Sequence, residues 1–313
     1  MQGPGDPDAL GYPADPAVTL LEKRRLSIAN DTMREITQQQ SSWKYLNPFS
    51  ALWGIWKGRD LLNQLVRRNI EIRYKGTMMG LIWMVVTPLV MLAVYTFVFG
   101  VVLKVRWGAG VGDSKAAFAL ILFCGMAVFN IFAESVNGSV GIVTGNPNYV
   151  KKVVFPLELL PVSAVLSACF FGLVWIGILL LGIVLFLHKF CLAAVCLPLI
   201  FIPLILFSSG IAWFVASLGV FFRDLSYVIG IILQLLIFMT PVFYSVEMVP
   251  ESFRPIMLFN PLTPIVQSAR QVLIYDQWPD WRVLGIVTLL SMAVFQLGYF
   301  WFMKTKRGFA DVL

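Results

Sequence analysis

Between residues 78 and 303 the chain alternates long apolar runs with short polar breaks. Six runs are uncharged or nearly so: Met78 to Leu103, Ala116 to Ala133 and on to Asn137, Leu159 to Leu187, Phe190 to Phe222, Leu225 to Val246, and Val283 to Met303. A helix crossing the hydrocarbon core needs about 20 apolar residues, and each run is close to or above that length. Only His188 and Lys189 separate the third run from the fourth, so these two must form a tight helical hairpin. His188 at that turn reads as an interface residue rather than a proton relay. The pattern predicts an all-α polytopic membrane protein with six transmembrane helices.

Ahead of the first run the period changes. From Asp60 to Lys75, Leu61, Leu62, Leu65, Val66 and Ile70 fall on one helical face, and Gln64, Arg67, Arg68, Glu71 and Lys75 on the other. That is the pattern of an amphipathic helix lying in the membrane interface, assigned to residues 58–77. Upstream, Trp43, Tyr45, Phe49, Trp53 and Trp56 alternate with Lys44, Lys57 and Arg59. Such a mixture suits the headgroup layer. The first seventeen residues hold Pro4, Pro7, Pro13 and Pro16 among glycines and aspartates and read as a flexible tail. No apolar core follows a basic start, so no cleavable signal peptide is expected. Residues 1–57 are therefore a cytoplasmic extension, partly disordered and partly on the membrane surface. Residues 78–303 form the six-span domain and 304–313 a cytoplasmic tail.

Composition narrows the class. Of 313 residues, 58% are hydrophobic and 13% charged, against roughly 25% charged in a soluble domain. The mean hydropathy is +0.80. A soluble enzyme, a disordered chain and a secreted disulfide scaffold are excluded. The net charge of +7 is topological rather than a nucleic-acid footprint. With the N-terminus inside, seventeen of the 24 lysines and arginines fall in the inner segments and seven in the outer loops. Lys and Arg favour the cytoplasmic side, so both termini are expected in the cytoplasm. Cys124, Cys169, Cys191 and Cys196 lie in or beside apolar runs as small hydrophobes, and one histidine builds no multi-histidine metal site.

The chemistry is that of transport. The chain has no GxxxxGK phosphate loop, nucleophile elbow, zincin helix or carboxylate cluster, so no catalytic residue is assigned. Ion-coupled carriers place ionisable groups inside their spans; here Glu134 is the only acid well placed to do so. Energy must come from elsewhere, and a separate ATPase subunit would supply it. The loop from Gly138 to Pro161 suits contact with such a partner. Asn146-Pro147 starts a turn or helix, and Tyr149, Lys151 and Lys152 follow among apolar residues. Arg223-Asp224, between the fourth and fifth runs, offers a second contact. The outer loop from Tyr244 to Arg282 carries Pro250, Pro255, Pro261 and Pro264. Its segments Ile256–Phe259 and Thr263–Ile274 are apolar enough to re-enter the membrane, as material for an outer gate. Ser208, Ala212 and Ala216 form a small-residue stripe suited to close helix packing.

Four pieces carry a family resemblance: LVRRNIEIRYKGTMMGLIW before the first span, NPNYVKKVVFPLELLP after the second, FFRDL after the fourth and NPLTPIVQSAR after the fifth. Over about residues 58–313 the chain resembles the membrane subunit of type-2 ABC exporters of polysaccharides, the O-antigen, capsule and teichoic-acid permeases. Two features depart from the pattern: the long N-terminal extension, and Glu158 where a basic residue is expected.

The resemblance implies a homodimer in the bacterial inner membrane, working with two copies of an ATP-binding subunit that holds the ATP and magnesium. This chain would bind no cofactor itself. The implied cargo is an undecaprenyl-pyrophosphate-linked glycan, with membrane lipids and no nucleic acid as further partners. The resemblance places a coupling helix at about Asn146–Phe155, the interfacial helix at Asp60–Lys75, and gate helices between Val249 and Ile274. A sugar chain needs stacking faces with little charge, and Trp83, Tyr95 and Phe129 are the candidate glycan path. A pyrophosphate headgroup would meet Arg67, Arg68, Arg73 and Lys75. Of these Arg73 falls nearest the apolar side and is expected to meet it first, with Arg67 and Arg68 facing bulk anionic lipid. Three rivals differ: a type-2 exporter of drugs or small lipids, a membrane-bound glycan-processing enzyme, which would need clustered acids or histidines, and a secondary transporter, which would need intramembrane charge.

Overall fold

Helices make up the regular structure of every segment that the computed structural model describes, namely residues 48–75, 78–102, 115–151, 155–189 and 191–313. All of them belong to one compact unit, Pro48–Leu313. The extension through Asn47, with Trp43 and Tyr45, lies outside the described residues, and so does Lys152. The helices are α1 (Pro48–Lys57), α2 (Arg59–Tyr74), α3 (Trp83–Tyr95), α4 (Lys115–Val140), α5 (Pro147–Lys151), α6 (Leu159–Gly182), α7 (Leu197–Phe221), α8 (Leu225–Met239), α9 (Arg254–Leu258), α10 (Leu262–Leu273), α11 (Trp281–Thr305) and α12 (Phe309–Val312).

Among the described residues, five segments are long and apolar enough to cross a membrane: Gly80–Val102, Ala116–Val140, Leu159–Leu187, Leu192–Phe221 and Trp281–Val312. They correspond to five of the six predicted runs, and the chain is a multi-pass membrane protein. The remaining run forms only α8, 15 residues long, or about 22 Å at 1.5 Å per residue. The shortening has a local cause. Pro241 disfavours helical backbone at the residue before it, and Thr240 is extended (φ −97°, ψ 135°). The Leu236 carbonyl accepts from both the amide and the hydroxyl of Thr240, at 2.9 and 2.8 Å, which closes the last turn.

α4 is the central element: 72% of its apolar window is buried, against 6% for Gly80–Val102 at the periphery. It packs along α6 and α7, while α7 and α11 make the most extensive helix pair. Lipid offers no hydrophobic reason for helices to associate, so close van der Waals contact must hold them, and small residues permit it. A Cβ on Gly298 of α11 would fall 2.1 Å from the Gly210 carbonyl oxygen of α7. The predicted stripe of Ser208, Ala212 and Ala216 is fully buried on the same helix. Its neighbour Gly210 makes the closest backbone approach to α11.

The two ends of the bundle are distinct. At one end Lys306 Nζ meets Glu158 at 2.7 Å, and the Trp213 indole donates to the Glu158 carbonyl at 2.9 Å. Glu158, the departure noted in the sequence, is therefore the anchor of the chain's C-terminal segment. That segment is folded rather than trailing: Phe309 is fully buried against Phe302 and Phe221. At the other end His188, left-handed at φ 53°, closes the α6–α7 hairpin. Nearby, Asp276 accepts from the Ala193 amide, and the Cys191 thiol donates to the Leu273 carbonyl.

A Gly298→Val variant should lower stability by about 1–3 kcal/mol or more, because the obstructing atoms belong to the Gly210 backbone and cannot rotate away. Gly285→Ala, on the same helix with open space around its Cβ, should be neutral or stabilising. Thermal denaturation in detergent separates the two.

Candidate functional site

α2 docks on α6 through its apolar face: Leu62 and Leu65 are buried, and the Asn69 side chain donates to Ser163 Oγ at 3.1 Å. This fixes the rotation of the helix and sends its basic residues in different directions. Arg67 pairs with Glu71 one turn on at 2.9 Å, and both are exposed; such a pair is worth only about 0.3–0.5 kcal/mol. Lys75 is exposed at the helix end. Arg68 and Arg73 turn inward.

Arg68 was expected to face bulk lipid, and the structure places it against the loop after α4 instead. Its guanidinium donates to Tyr149 Oη and to Asn146 Oδ1, each at 3.0 Å. The reason is helical register, since Arg68 stands three residues beyond buried Leu65 and shares its side. Asn146 is itself held, its amide donating to the Ile142 carbonyl at 2.8 Å. The Tyr149 ring stacks on Phe155 with centroids 4.2 Å apart. Three of the predicted coupling residues thus form one fixed unit with the interfacial helix. Pro147 opens α5 and Lys151 ends it, exposed. Arg223 and Asp224 are exposed at the α7–α8 turn. Short α12 touches both α5 and α7, so the C-terminal segment joins this face, a participant that the hydropathy pattern gave no reason to include.

Arg73 forms a bidentate pair with Glu134 of α4, the longer of its two bonds being 2.6 Å. Its guanidinium also lies over the Phe171 ring at 4.4 Å, a cation–π arrangement. The pair lines a cavity of about 370 Å³ together with Trp83, Thr87, Phe171 and Trp175. Trp83 from the candidate glycan path and Arg73 from the candidate headgroup set are thereby brought into one place. Trp175 is backed by Phe123, stacked with centroids 5.2 Å apart. The other path candidates lie elsewhere. Tyr95 joins an aromatic cluster with Phe99 and Phe243. Phe129 is buried in the core and lines no open surface of this chain.

The predicted gate segments form α9 and α10. Pro250 caps a turn before α9, Pro255 sits in its first turn, Pro261 precedes α10 and Pro264 lies within it. α10 is enclosed by α4, α7 and α11. It is held at both ends. Asn260 donates to Thr240 Oγ1 at 2.8 Å while its own oxygen accepts from the Leu262 amide. Arg270, fully buried, donates to the backbone carbonyls of Ile121, Pro241 and Val242 at 3.2, 2.6 and 2.7 Å. Arg270 closes the NPLTPIVQSAR string, but nothing in the sequence points to carbonyl partners. Gly125 makes room for it, since a Cβ there would fall 2.4 Å from its Nη2.

The family described as ABC-2 type transporter matches residues 60–274. Two O-antigen export system permease proteins RfbA of Klebsiella pneumoniae are each 28% identical to the chain, over 261 and 255 residues, covering 81% of this chain and 95% of each relative. An RfbA of Myxococcus xanthus is 26% identical over 259 residues, covering 82% of this chain and 96% of the relative.

Arg68→Lys keeps the charge but cannot span Tyr149 and Asn146 together. It should speed amide exchange over Asn146–Lys151 roughly tenfold, the equivalent of about 1.4 kcal/mol. Unchanged exchange in that segment would show that Arg68 does not hold the loop.

Proposed function

The chain belongs to the ABC-2 type transporter family, and we propose that it is the membrane subunit of an ABC exporter carrying an O-antigen-like, lipid-linked glycan outward across the bacterial inner membrane. The relatives named as O-antigen export permeases, matched over nearly their whole length, support that cargo. In this reading two copies of the chain form the path, and two copies of a separate ATP-binding subunit drive it with ATP and magnesium. Both termini, α5 and the Arg223–Asp224 turn face the cytoplasm.

The observation that carries the mechanism is the Arg68 link. An exporter powered from outside the membrane needs a mechanical connection between the surface that the ATPase pushes and the element that meets substrate. α2 is a 16-residue helix docked on α6, and Arg68 bonds it to the Asn146–Tyr149 loop. A push on α5 is therefore delivered to α2 without passing through lipid. The lipid headgroup approaches at Arg73 and Lys75, where positive charge stands at interfacial depth and guanidinium offers phosphate a bidentate fork. Trp83 and Trp175 supply stacking faces beside it. The Asn260 and Arg270 ties give α9 and α10 a fixed rest position, suited to an outer gate between Val249 and Ile274.

Two experiments test this. The purified chain alone should hydrolyse no ATP, and co-expression with its ATP-binding partner should give a hydrolysing complex; a Gly/Ser linker in place of residues 146–152 should abolish glycan export and leave membrane insertion intact. Robust ATP hydrolysis by the chain alone, or export through the linker variant, would refute the assignment. Topology is checked separately: reporters at His188 and Glu251 should be periplasmic, and reporters at Asn148, Asp224 and Leu313 cytosolic, with one reversed site enough to break the six-span arrangement.

A further inference from the structure

We infer that Glu134 is an internal stand-in for the substrate anion: its carboxylate occupies the Arg73 fork until a diphosphate displaces it, so that the pair sets the threshold for loading. This rests on the reading of Arg73 as a headgroup residue and adds what fills the site beforehand. A carboxylate and a phosphate offer a guanidinium the same two-oxygen edge, and Glu134 presents both of its oxygens to Arg73.

Two arginines in this fold make the distinction. Arg270 is fully enclosed and held by three carbonyls from two parts of the backbone. Carbonyls fixed in the backbone cannot swing away, so that cation is structural. Arg73 is held by a side-chain carboxylate that can rotate aside, and the two side chains are 43% and 32% exposed. The pair opens onto a cavity of about 370 Å³, room for a diphosphate that the Arg270 site lacks. The Phe171 ring beneath the Arg73 guanidinium keeps the cation in place when the carboxylate leaves. Exchange therefore begins with rotation of the Glu134 side chain. The competitor also has a use. A bare guanidinium at the membrane surface would collect any anionic lipid, whereas one already paired yields only to a ligand that binds the fork better. A doubly charged diphosphate does so, and a singly charged phosphodiester does so poorly.

The test uses the full chain in nanodiscs of neutral lipid, titrated with farnesyl pyrophosphate and, separately, with inorganic pyrophosphate. Glu134→Gln, which keeps the shape and removes the competing charge, should bind either probe about five- to tenfold more tightly than wild type. Glu134→Asp, too short to complete the fork, should fall between them and carries the test if the glutamine variant fails to fold. Glu71→Gln, which removes an exposed carboxylate on the same helix, should change affinity by less than about twofold. Tighter binding of the farnesyl probe identifies a lipid headgroup as the occupant, and equal binding a free diphosphate. If both Glu134 variants bind like wild type while Arg73→Gln loses binding, the stand-in is refuted and the headgroup site survives. An equal gain from Glu71→Gln also refutes the stand-in, because the effect is then net charge. If Arg73→Gln binds like wild type, the headgroup reading falls with it.

Discussion

A guanidinium enclosed in an apolar bundle must find its counter-dipoles there, because no water is present to supply them. Arg270 meets that demand with three backbone carbonyls, and much of the fold follows. Carbonyls inside a helix are already bonded to the amide four residues on. A carbonyl inside a helix keeps only a second lone pair to offer, and wholly unpaired acceptors occur where a helix ends or breaks. The end of α8 at Thr240 and Pro241 supplies two of them, so the short α8 and the buried arginine satisfy each other. Without the break, the Pro241 and Val242 carbonyls would be committed to a continuing helix. Without the arginine, they would be acceptors orphaned in the core. The third carbonyl, Ile121 on α4, ties this junction to the central helix. Gly125, one turn beyond Ile121, leaves the space that the guanidinium fills. α10 is thus fastened to α4 and to the α8 terminus by one side chain, with Asn260 fastening its other end to Thr240.

The sequence reveals this architecture where lipid imposes a rule and is silent where only packing decides. Five apolar runs became helices of spanning length because a crossing segment must be apolar and must satisfy its own backbone. The run from Leu225 to Val246 looked equivalent, since hydropathy does not register that Thr240 turns to extended backbone before Pro241. The amphipathic period of α2 was legible, and Arg73 was read as lying nearest its apolar side. That Glu134, 61 positions away, would be its partner was not, because pairing across elements depends on helix rotation. The same holds for Lys306 and Glu158, which read as a tail charge and a misplaced acid until their contact joined them. Phe309 fell within the segment read as a cytoplasmic tail, and its burial comes from the groove beside Phe302 and Phe221. The small-residue stripe of α7 was visible, but its closest contact, Gly210 on Gly298, needs knowledge of which helix lies opposite.

Charge is sparse in this chain and is concentrated where the fold must do more than stand. Among the described residues, the ion pairs of Arg67 and Glu71, Arg59 and Asp60, and Arg254 and Glu251 are local in sequence and mainly exposed. Such pairs add little stability. The two that join distant elements, Arg73 with Glu134 and Lys306 with Glu158, are the less exposed ones. Glu158 adds a backbone tie to Trp213 at the heart of the α7–α11 contact, so it reads as an anchor. The Arg73 pair instead borders a cavity.

The placement of the two inward arginines on α2 gives that helix its mechanical character. Five residues separate Arg68 from Arg73, about 7.5 Å along the axis and about 140° around it. They therefore cannot serve one site. Arg68 reaches the loop that carries α5, and Arg73 reaches α4 and the cavity. Between them Asn69 bonds to Ser163 of α6, with Leu65 buried one turn earlier. A helix held at its middle by α6 and engaged on two sides by different elements cannot turn at one arginine without moving the other. A displacement of the Asn146–Tyr149 loop that turns α2 therefore also moves the fork presented to Glu134. The register of one short helix thus sends its two cations to different elements, Arg68 to the loop before α5 and Arg73 to α4.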